Sequence, residues 1–201
     1  MKTFAFDLGR VIFDFDYNIA LDKIKDKVQC SSEKIIDEIF YKDFGADFEK
    51  GLVSSQEFFN KFKVAFRATI QYQEFTHIWS DIFSPMKKTI NLIKYLKAKH
   101  PLFMISNITE LHYDFLYQRY PEVFALFDGL ILSYQVQSVK PEEKIYQALK
   151  TLAKTEYEEI IYIDDRPDLI CEAKKLKLNC IQFQQYEQLV EELKELGIAI
   201  D

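Results

Sequence analysis

Five side chains suited to metal and phosphoryl chemistry follow short apolar runs. Asp7 follows Phe4-Ala5-Phe6, Ser106 ends Leu102 to Ile105, and Asp164-Asp165 end Ile160 to Ile163; Lys140 stands in the loop after Leu130 to Leu132. Read as buried parallel strands, these runs deliver their last residues to the carboxyl edge of a sheet, the edge at which open α/β sheets bind ligands. Groups distant in sequence can converge there. Three carboxylates in a small space repel one another and call for a divalent cation, and oxygen ligands suit Mg²⁺. A nearby hydroxyl and ammonium suit a phosphoryl group. A carboxylate beside that group can attack it and form an aspartyl phosphate.

The elements that must position these groups follow from periodicity. After Asp16 the pattern turns helical, with Ile19, Ala20, Ile24 and Val28 at helical spacing. Ser31 or Ser32 caps a helix carrying Ile35, Ile36, Ile39 and Phe40. Residues 46–55 read as a turn around Gly51, and Ser54 with Glu57 forms a capping box. Phe58, Phe59, Phe62, Phe66 and Ile70 continue the helical theme, followed by Phe75, Ile78, Trp79 and Phe83. No strand is expected between Asp16 and Pro85, and Ser84-Pro85 is expected to open a helix ending before Pro101. Strand and helix then alternate: a helix from Leu111 to Tyr120, the strand at Leu130, a helix from Ile145 to Leu152 and the strand at Ile160. A helix through Ala173 and Leu176, a strand over Cys180 to Phe183 and a helix over Leu189 to Leu196 complete the chain. The expected fold is α/β: a Rossmann-like parallel sheet with helices on both faces. Residues 1–16 and 85–201 form its core, and residues 17–84 a helical cap inserted after the first strand.

Composition narrows the function class. The 201 residues suit one domain with a smaller insert. A formal net charge of -6 disfavours nucleic acid as a partner, since phosphate backbones need a basic surface. The 18 Phe and 12 Tyr imply a core filled by large side chains. Cys30, Cys171 and Cys180 match no zinc spacing, and so few cysteines fit a reducing, cytoplasmic setting. No signal peptide is expected, because Asp7 and Arg10 interrupt the early apolar run. No apolar stretch reaches the ~20 residues that span a bilayer. Nothing in the sequence specifies an oligomeric state.

The ordered motifs Phe6-Asp7-Leu8-Gly9, Ile105-Ser106-Asn107, Lys140-Pro141 and Ile163-Asp164-Asp165 resemble the four motifs of the haloacid dehalogenase superfamily, over nearly the whole chain. The stretches FDLGRVIFDFD, FEKGLVSSQEF, ISN, VKPEEKIY and YIDDRPD resemble its branch of alpha-D-glucose-1-phosphate phosphatases. The N-terminal phosphatase domains of soluble epoxide hydrolases are similar. The resemblance implies a Mg²⁺-dependent phosphatase acting on a small phosphorylated metabolite. Asp7 would be nucleophile and metal ligand. Ser106 and the backbone of Asn107 would hold phosphoryl oxygens, and Lys140 would neutralise nucleophile and phosphate. Asp165 and the Gly9 carbonyl would ligate Mg²⁺, with Asp164 orienting a metal-bound water.

Departures from the family pattern carry information of their own. Phosphatases of the superfamily usually place an acid-base Asp two residues after the nucleophile, where this chain has Gly9. A positioned proton donor contributes ~10²–10⁴-fold, so its loss predicts a preference for acidic leaving groups, sugar 1-phosphates among them. Asp14, in Asp14-Phe15-Asp16 at the entrance to the insert, is the nearest substitute acid in sequence. Arg10 replaces a smaller residue and either adds charge near the phosphate or points to solvent. Leu169 stands where relatives often carry Asn, beside a retained Asp168. His77, His100 and His112 are read as packing or surface residues. Two competing functions use the same site: a phospholigand-binding protein with little turnover, and a metal-free haloacid dehalogenase. The paired Asp164-Asp165 argues against the latter. A phospho-receiver is excluded by motif order.

Overall fold

The computed structural model describes residues 2–40 and 44–200. Met1 and Asp201, the outer ends of the expected core, and residues 41–43 of the expected insert lie outside the described residues. Five strands form one parallel sheet: β1 (Thr3–Phe6), β4 (Leu102–Ser106), β5 (Gly129–Leu132), β6 (Ile160–Asp164) and β7 (Asn179–Gln182), ordered β5-β4-β1-β6-β7. The chain extends the sheet outward on one side of β1, then returns to extend it on the other. Strand order therefore reverses around β1, the position at which ligands bind in sheets of this kind. Register aligns Phe6 with Met104 and with Ile163, so Asp7 leaves the sheet between β4 and β6.

The three central strands, β1, β4 and β6, are buried along their length, which is why they read as nearly continuous apolar runs. Phe4, Phe6, Met104 and Ile163 pack on one face against α6 (Lys87–Lys97), α7 (Glu110–Arg119), α8 (Pro121–Phe124) and α12 (Tyr186–Glu195). Ala5, Phe103, Ile105 and Tyr162 pack on the other against α10 (Glu143–Ala153) and α11 (Pro167–Lys175). A four-residue helix, α9 (Ser133–Val136), follows β5 directly.

A separate apolar cluster gathers α1 (Tyr17–Ile24), α2 (Ser32–Phe40), α3 (Ala46–Glu49), α4 (Ser55–Ala65) and α5 (Tyr72–Ser80). Phe58, Phe62 and Phe75 are fully buried in it, with Trp79 beside them. The capping box that opens α4 is present: the Glu57 backbone N–H donates to Ser54 Oγ at 3.3 Å, and Ser54 N–H to Glu57 Oε2 at 2.9 Å.

Four expectations need correction. Short strands β2 (Phe13–Phe15) and β3 (Phe83–Pro85) pair antiparallel where the insert leaves and rejoins the core. Ser84-Pro85 therefore belongs to a strand, and the helix starts at Lys87. The pairing supplies what a three-residue segment cannot supply alone, since Asp14 aligns with Ser84 and Phe15 with Phe83. The stretch expected as a turn contains α3 before the chain reverses at Gly51, whose φ is +67°. Finally, the strand expected over Cys180 to Phe183 spans Asn179–Gln182.

Candidate active site

The centre of the site is an ammonium held between two carboxylates. Asp7 follows β1, and its backbone N–H donates to the Ile163 carbonyl at 2.8 Å, continuing the ladder by one residue. Lys140 Nζ donates to Asp7 Oδ1 at 2.7 Å and to Asp164 Oδ2 at 2.6 Å. Tyr162 donates its hydroxyl to the same Asp164 oxygen, and Arg166 N–H donates to Asp164 Oδ1 at 2.9 Å. Burial disfavours the Lys140 ammonium, but Asp7 and Asp164 reverse that and hold its pKa above its usual value. Burial pushes the Asp7 carboxyl up to about 7, with Lys140 opposing and Asp164 adding to the rise. Such a buried cluster is costly unless each charge is compensated.

Oxygens of Asp7, Asp164 and Asp165 lie within 4.8 Å of one another. Both Asp164 oxygens have protein donors, whereas Asp165 has no ion pair among the described residues and is only partly buried. Burial first, and Asp164 next, raise the Asp165 carboxyl above its ordinary range. An all-oxygen cluster with two carboxylates still able to donate fits a hard cation such as Mg²⁺.

Ser106 ends β4, is 1% exposed and opens onto the same cleft. Asn107 has a part that its sequence does not reveal. Its side chain clamps the Lys140 loop, accepting from Lys140 N–H at 2.7 Å and donating to the Lys140 carbonyl at 3.1 Å. Ser133, fully buried at the start of α9, fixes the loop after Asn107 by accepting the Ile108 N–H at 2.9 Å.

Gly9 faces an occupied space. A Cβ there would stand 2.9 Å from Phe15 Cε1 and 3.9 Å from Asp7 Oδ2. Phe15 fills the volume a second acid would need, and the Arg10 guanidinium lies 5.2 Å above its ring. Arg10, exposed with φ of 57°, lies at the cleft with its charge over an aromatic face. The structure does not bring Asp14 to the cleft. Its side chain is exposed on β2 and accepts the Phe15 N–H at 2.9 Å, so the expected substitute acid is corrected. Leu169 is buried against the cleft, and Asp168 is exposed in a forked pair with Arg166.

The cleft has a volume of about 430 Å³. Asp7, Gly9, Ser106, Asn107, Lys140 and Asp165 all line it, as do Glu49, Phe40, Tyr17 and His112 from the helical insert and α7. Sequence reasoning does not single out these last four as site residues. The insert's helical pattern marks buried positions but not which end of a helix meets the sheet edge. His112 is buried, its Nε2 lies 3.2 Å from the Trp79 carbonyl, and burial lowers its pKa to about 4. His77 is exposed, and His100 Nδ1 lies 3.0 Å from the Lys2 carbonyl, away from the cleft. Cys30, Cys171 and Cys180 are free thiols. No helix among the described residues is long and apolar enough to cross a membrane.

This architecture recurs in solved structures. An HAD family enzyme from Bacteroides thetaiotaomicron, in complex with magnesium and inorganic phosphate, superposes with a TM-score of 0.82 at 22% identity, over 94% of this chain and 98% of that one. A predicted HAD-like family hydrolase from Porphyromonas gingivalis gives 0.83 at 21%, over 96% and 98%. An L-2-haloacid dehalogenase from Xanthobacter autotrophicus, with chloropropionic acid covalently bound, gives 0.65 at 14%, over 100% and 85%. At these identities the likeness speaks for the fold. Family membership comes from the sequence, whose residues 1–175 match the profile of haloacid dehalogenase-like hydrolases. With that match spanning most of its length, the chain belongs to the haloacid dehalogenase-like hydrolase family.

Proposed function

We propose that this chain is a Mg²⁺-dependent phosphatase that hydrolyses a small phosphorylated metabolite, a sugar phosphate among the candidates, through a phospho-aspartyl intermediate on Asp7. The observation that carries this reading is one cleft shared by Asp7, Lys140, Ser106 and Asp165, with three carboxylates within 4.8 Å. Asp7, Asp165 and the Gly9 carbonyl would hold the cation. Bound there, Mg²⁺ would offset the negative charge of carboxylates and phosphate together. Asp7 Oδ attacks phosphorus, and Ser106 with the Asn107 backbone holds the phosphoryl oxygens. Lys140 keeps the nucleophile charged and balances charge that spreads over those oxygens as the loose transition state forms. Asp164 positions Lys140 through its 2.6 Å bond. Residues 17–84 act as the cap: Phe40, Tyr17 and Phe83 wall the cleft and exclude water around the transferring group. A cytoplasmic setting is consistent with the free thiols.

The Bacteroides enzyme, solved with magnesium and inorganic phosphate, supports the phosphatase reading over dehalogenation. The test is phosphate release from a panel of phosphorylated metabolites, with Mg²⁺ and then with chelator. Turnover that needs Mg²⁺ is expected. Binding without turnover would favour the phospholigand-binding alternative, and halide release from a haloacid in chelator would favour the dehalogenase.

A further inference from the structure

The cleft described above lacks an acid at Gly9, and Phe15 occupies the space where one would stand. A leaving oxygen must still take a proton from somewhere. Among the described residues, three carboxylates line the cleft: Asp7, Asp165 and Glu49. The first two already have roles in the reading above. Lys140 is fixed between its two carboxylates, and His112 points its Nε2 at the Trp79 carbonyl. Tyr17 is half-buried, and desolvation, with Glu49 next, makes it hold its proton more tightly than a free phenol. That leaves Glu49.

Its placement is unusually well fixed for a residue in the helical insert. Ser133 Oγ donates to the Glu49 carbonyl at 2.7 Å, and the same oxygen accepts the Ile108 N–H at 2.9 Å. Ser133 thus ties Glu49 to the loop that follows Ser106. The next residue, Lys50, donates to Glu142 Oε1 at 2.5 Å, and Glu142 also accepts from Ser138 Oγ at 2.9 Å, two residues before Lys140. Gly51 packs so closely that a Cβ would lie 2.1 Å from the Tyr134 carbonyl oxygen. The backbone bearing Glu49 is therefore docked on the sheet edge rather than held only by the cap's own core.

Glu49 also borders a smaller cavity of about 150 Å³, lined by Phe40, Trp79 and His112, which opens beside the cleft. It stands at the junction between phosphate chemistry and the space left for the rest of a substrate. Its carboxylate has no ion pair or hydrogen bond among the described residues. Burial raises its pKa, with Lys140 and Arg166 opposing. Lys140 and Arg166 are the cations that oppose this rise, and Asp7, Asp165 and Arg10 from the sheet edge, Tyr17 from α1 and His112 from α7 share the cleft with it.

We propose that Glu49 is the proton donor to the leaving oxygen, doing from the cap the work that Gly9 cannot; this rests on the phosphatase reading above. As Asp7 Oδ bonds to phosphorus and the ester P–O bond breaks, the Glu49 proton passes to the departing oxygen, giving an alcohol and a Glu49 carboxylate. In the second step water attacks phosphorus, the aspartyl P–O bond breaks, and Glu49 takes the water's proton.

The experiment compares kcat and KM of wild type and Glu49→Gln, with Mg²⁺, over aryl and alkyl phosphates of graded leaving-group acidity. The expected result is a loss in kcat of roughly 10²-fold or more for alkyl phosphates, in the range typical of a general acid. Loss on 4-nitrophenyl phosphate, whose leaving group needs no proton, stays under roughly tenfold in the same scheme. KM changes little. A uniform loss across the series, or a rise in KM alone, would overturn the proposal, because a residue that merely held α3 or bound a substrate hydroxyl would act that way. Absence of wild-type turnover on every member would overturn the phosphatase reading itself and this inference with it. Turnover by wild type with an unchanged Glu49→Gln slope would overturn the inference alone.

Discussion

The sheet edge and the helical insert solve opposite problems with opposite residues. At the edge, buried charges sit in contact: Lys140 bonds to Asp7 and Asp164, and Tyr162 and the Arg166 N–H complete the set around Asp164. In the insert, Phe58, Phe62, Phe66, Phe75 and Trp79 pack among themselves, mostly tilted or edge to face, with ring centroids 4.8–6.3 Å apart. Buried ion clusters contribute little net stability, because desolvation offsets the attraction. Aromatic clusters contribute through area and contact. Chemistry and stability should therefore be separable by mutation, with the edge controlling the first and the insert the second.

The largest effect tests the edge. Asp7→Asn keeps the shape of the proposed nucleophile and removes its charge, so phosphate release should fall by roughly 10⁴-fold or more, about 5.5 kcal/mol. The thermal midpoint should move little, since Asp164 still compensates Lys140. Retention of a tenth of the activity would remove Asp7 from its role. Asp165→Ala should raise the Mg²⁺ needed for half-maximal turnover at least roughly tenfold, read from a metal titration after chelation. The reciprocal test lies in the insert. Phe62→Ala should cost about 3–5 kcal/mol in denaturant unfolding, as for other buried aromatics. The variant that remains folded should retain its kcat. A large loss of kcat at full stability would break the separation.

His112 joins the two regions, because it stands on α7 of the core and meets the Trp79 carbonyl on α5 of the insert. Its pKa is about 4 when folded, against 6.5 for a freely solvated imidazole side chain. The unfolded chain thus binds a proton below about 6.5 that the folded chain refuses until about 4. Stability contributed by the neutral imidazole is fully present above 6.5 and is lost as pH falls toward 4. The shift corresponds to about 3 kcal/mol. Denaturant midpoints at about pH 7 and about pH 4.5, on either side of most of that window, should show wild type losing more stability than His112→Gln. Equal losses would mean that acid acts through other groups.

How far the sequence could be read follows the range of the interactions. The sheet and the polar groups at its edge were legible because a buried strand writes itself as a continuous apolar run, and Asp7, Ser106 and Asp164 each stand at the end of one. The Ser54–Glu57 cap was legible for the same local reason. The β2–β3 pair was not, since three residues containing a proline gain strand geometry only from a partner some seventy residues away. Glu49 was hidden likewise. Nothing in its neighbours states that Ser133 holds its carbonyl, and a contact across 84 residues has no local signature. Asn107 was recognised for its backbone, while its side chain serves the Lys140 loop.

The smallest expected effect is the most informative about how the two regions share the work. Gly9→Asp would supply the acid expected from the superfamily pattern, yet its Cβ would meet Phe15 Cε1 at 2.9 Å. Phe15 cannot yield freely: its ring packs 5.8 Å from Phe83 and 5.7 Å from Tyr17, and Arg10 lies over it. The single substitution should therefore leave turnover of alkyl phosphates unimproved. Pairing it with Phe15→Ala opens the space, and the new carboxyl can then reach a leaving oxygen. If Glu49 already supplies the proton, a second donor adds little, and the gain on alkyl phosphates should stay under tenfold, about 1.4 kcal/mol. The measurement is kcat/KM on one alkyl and one aryl phosphate for wild type, the single variant and the pair, each with Glu49 intact and with Glu49→Gln. In the Glu49→Gln background the same pair should recover a much larger share of alkyl turnover, because there the cleft has no other donor. A gain above tenfold with Glu49 intact would mean that Glu49 does not act as the acid, and that the insert contributes walls and packing alone.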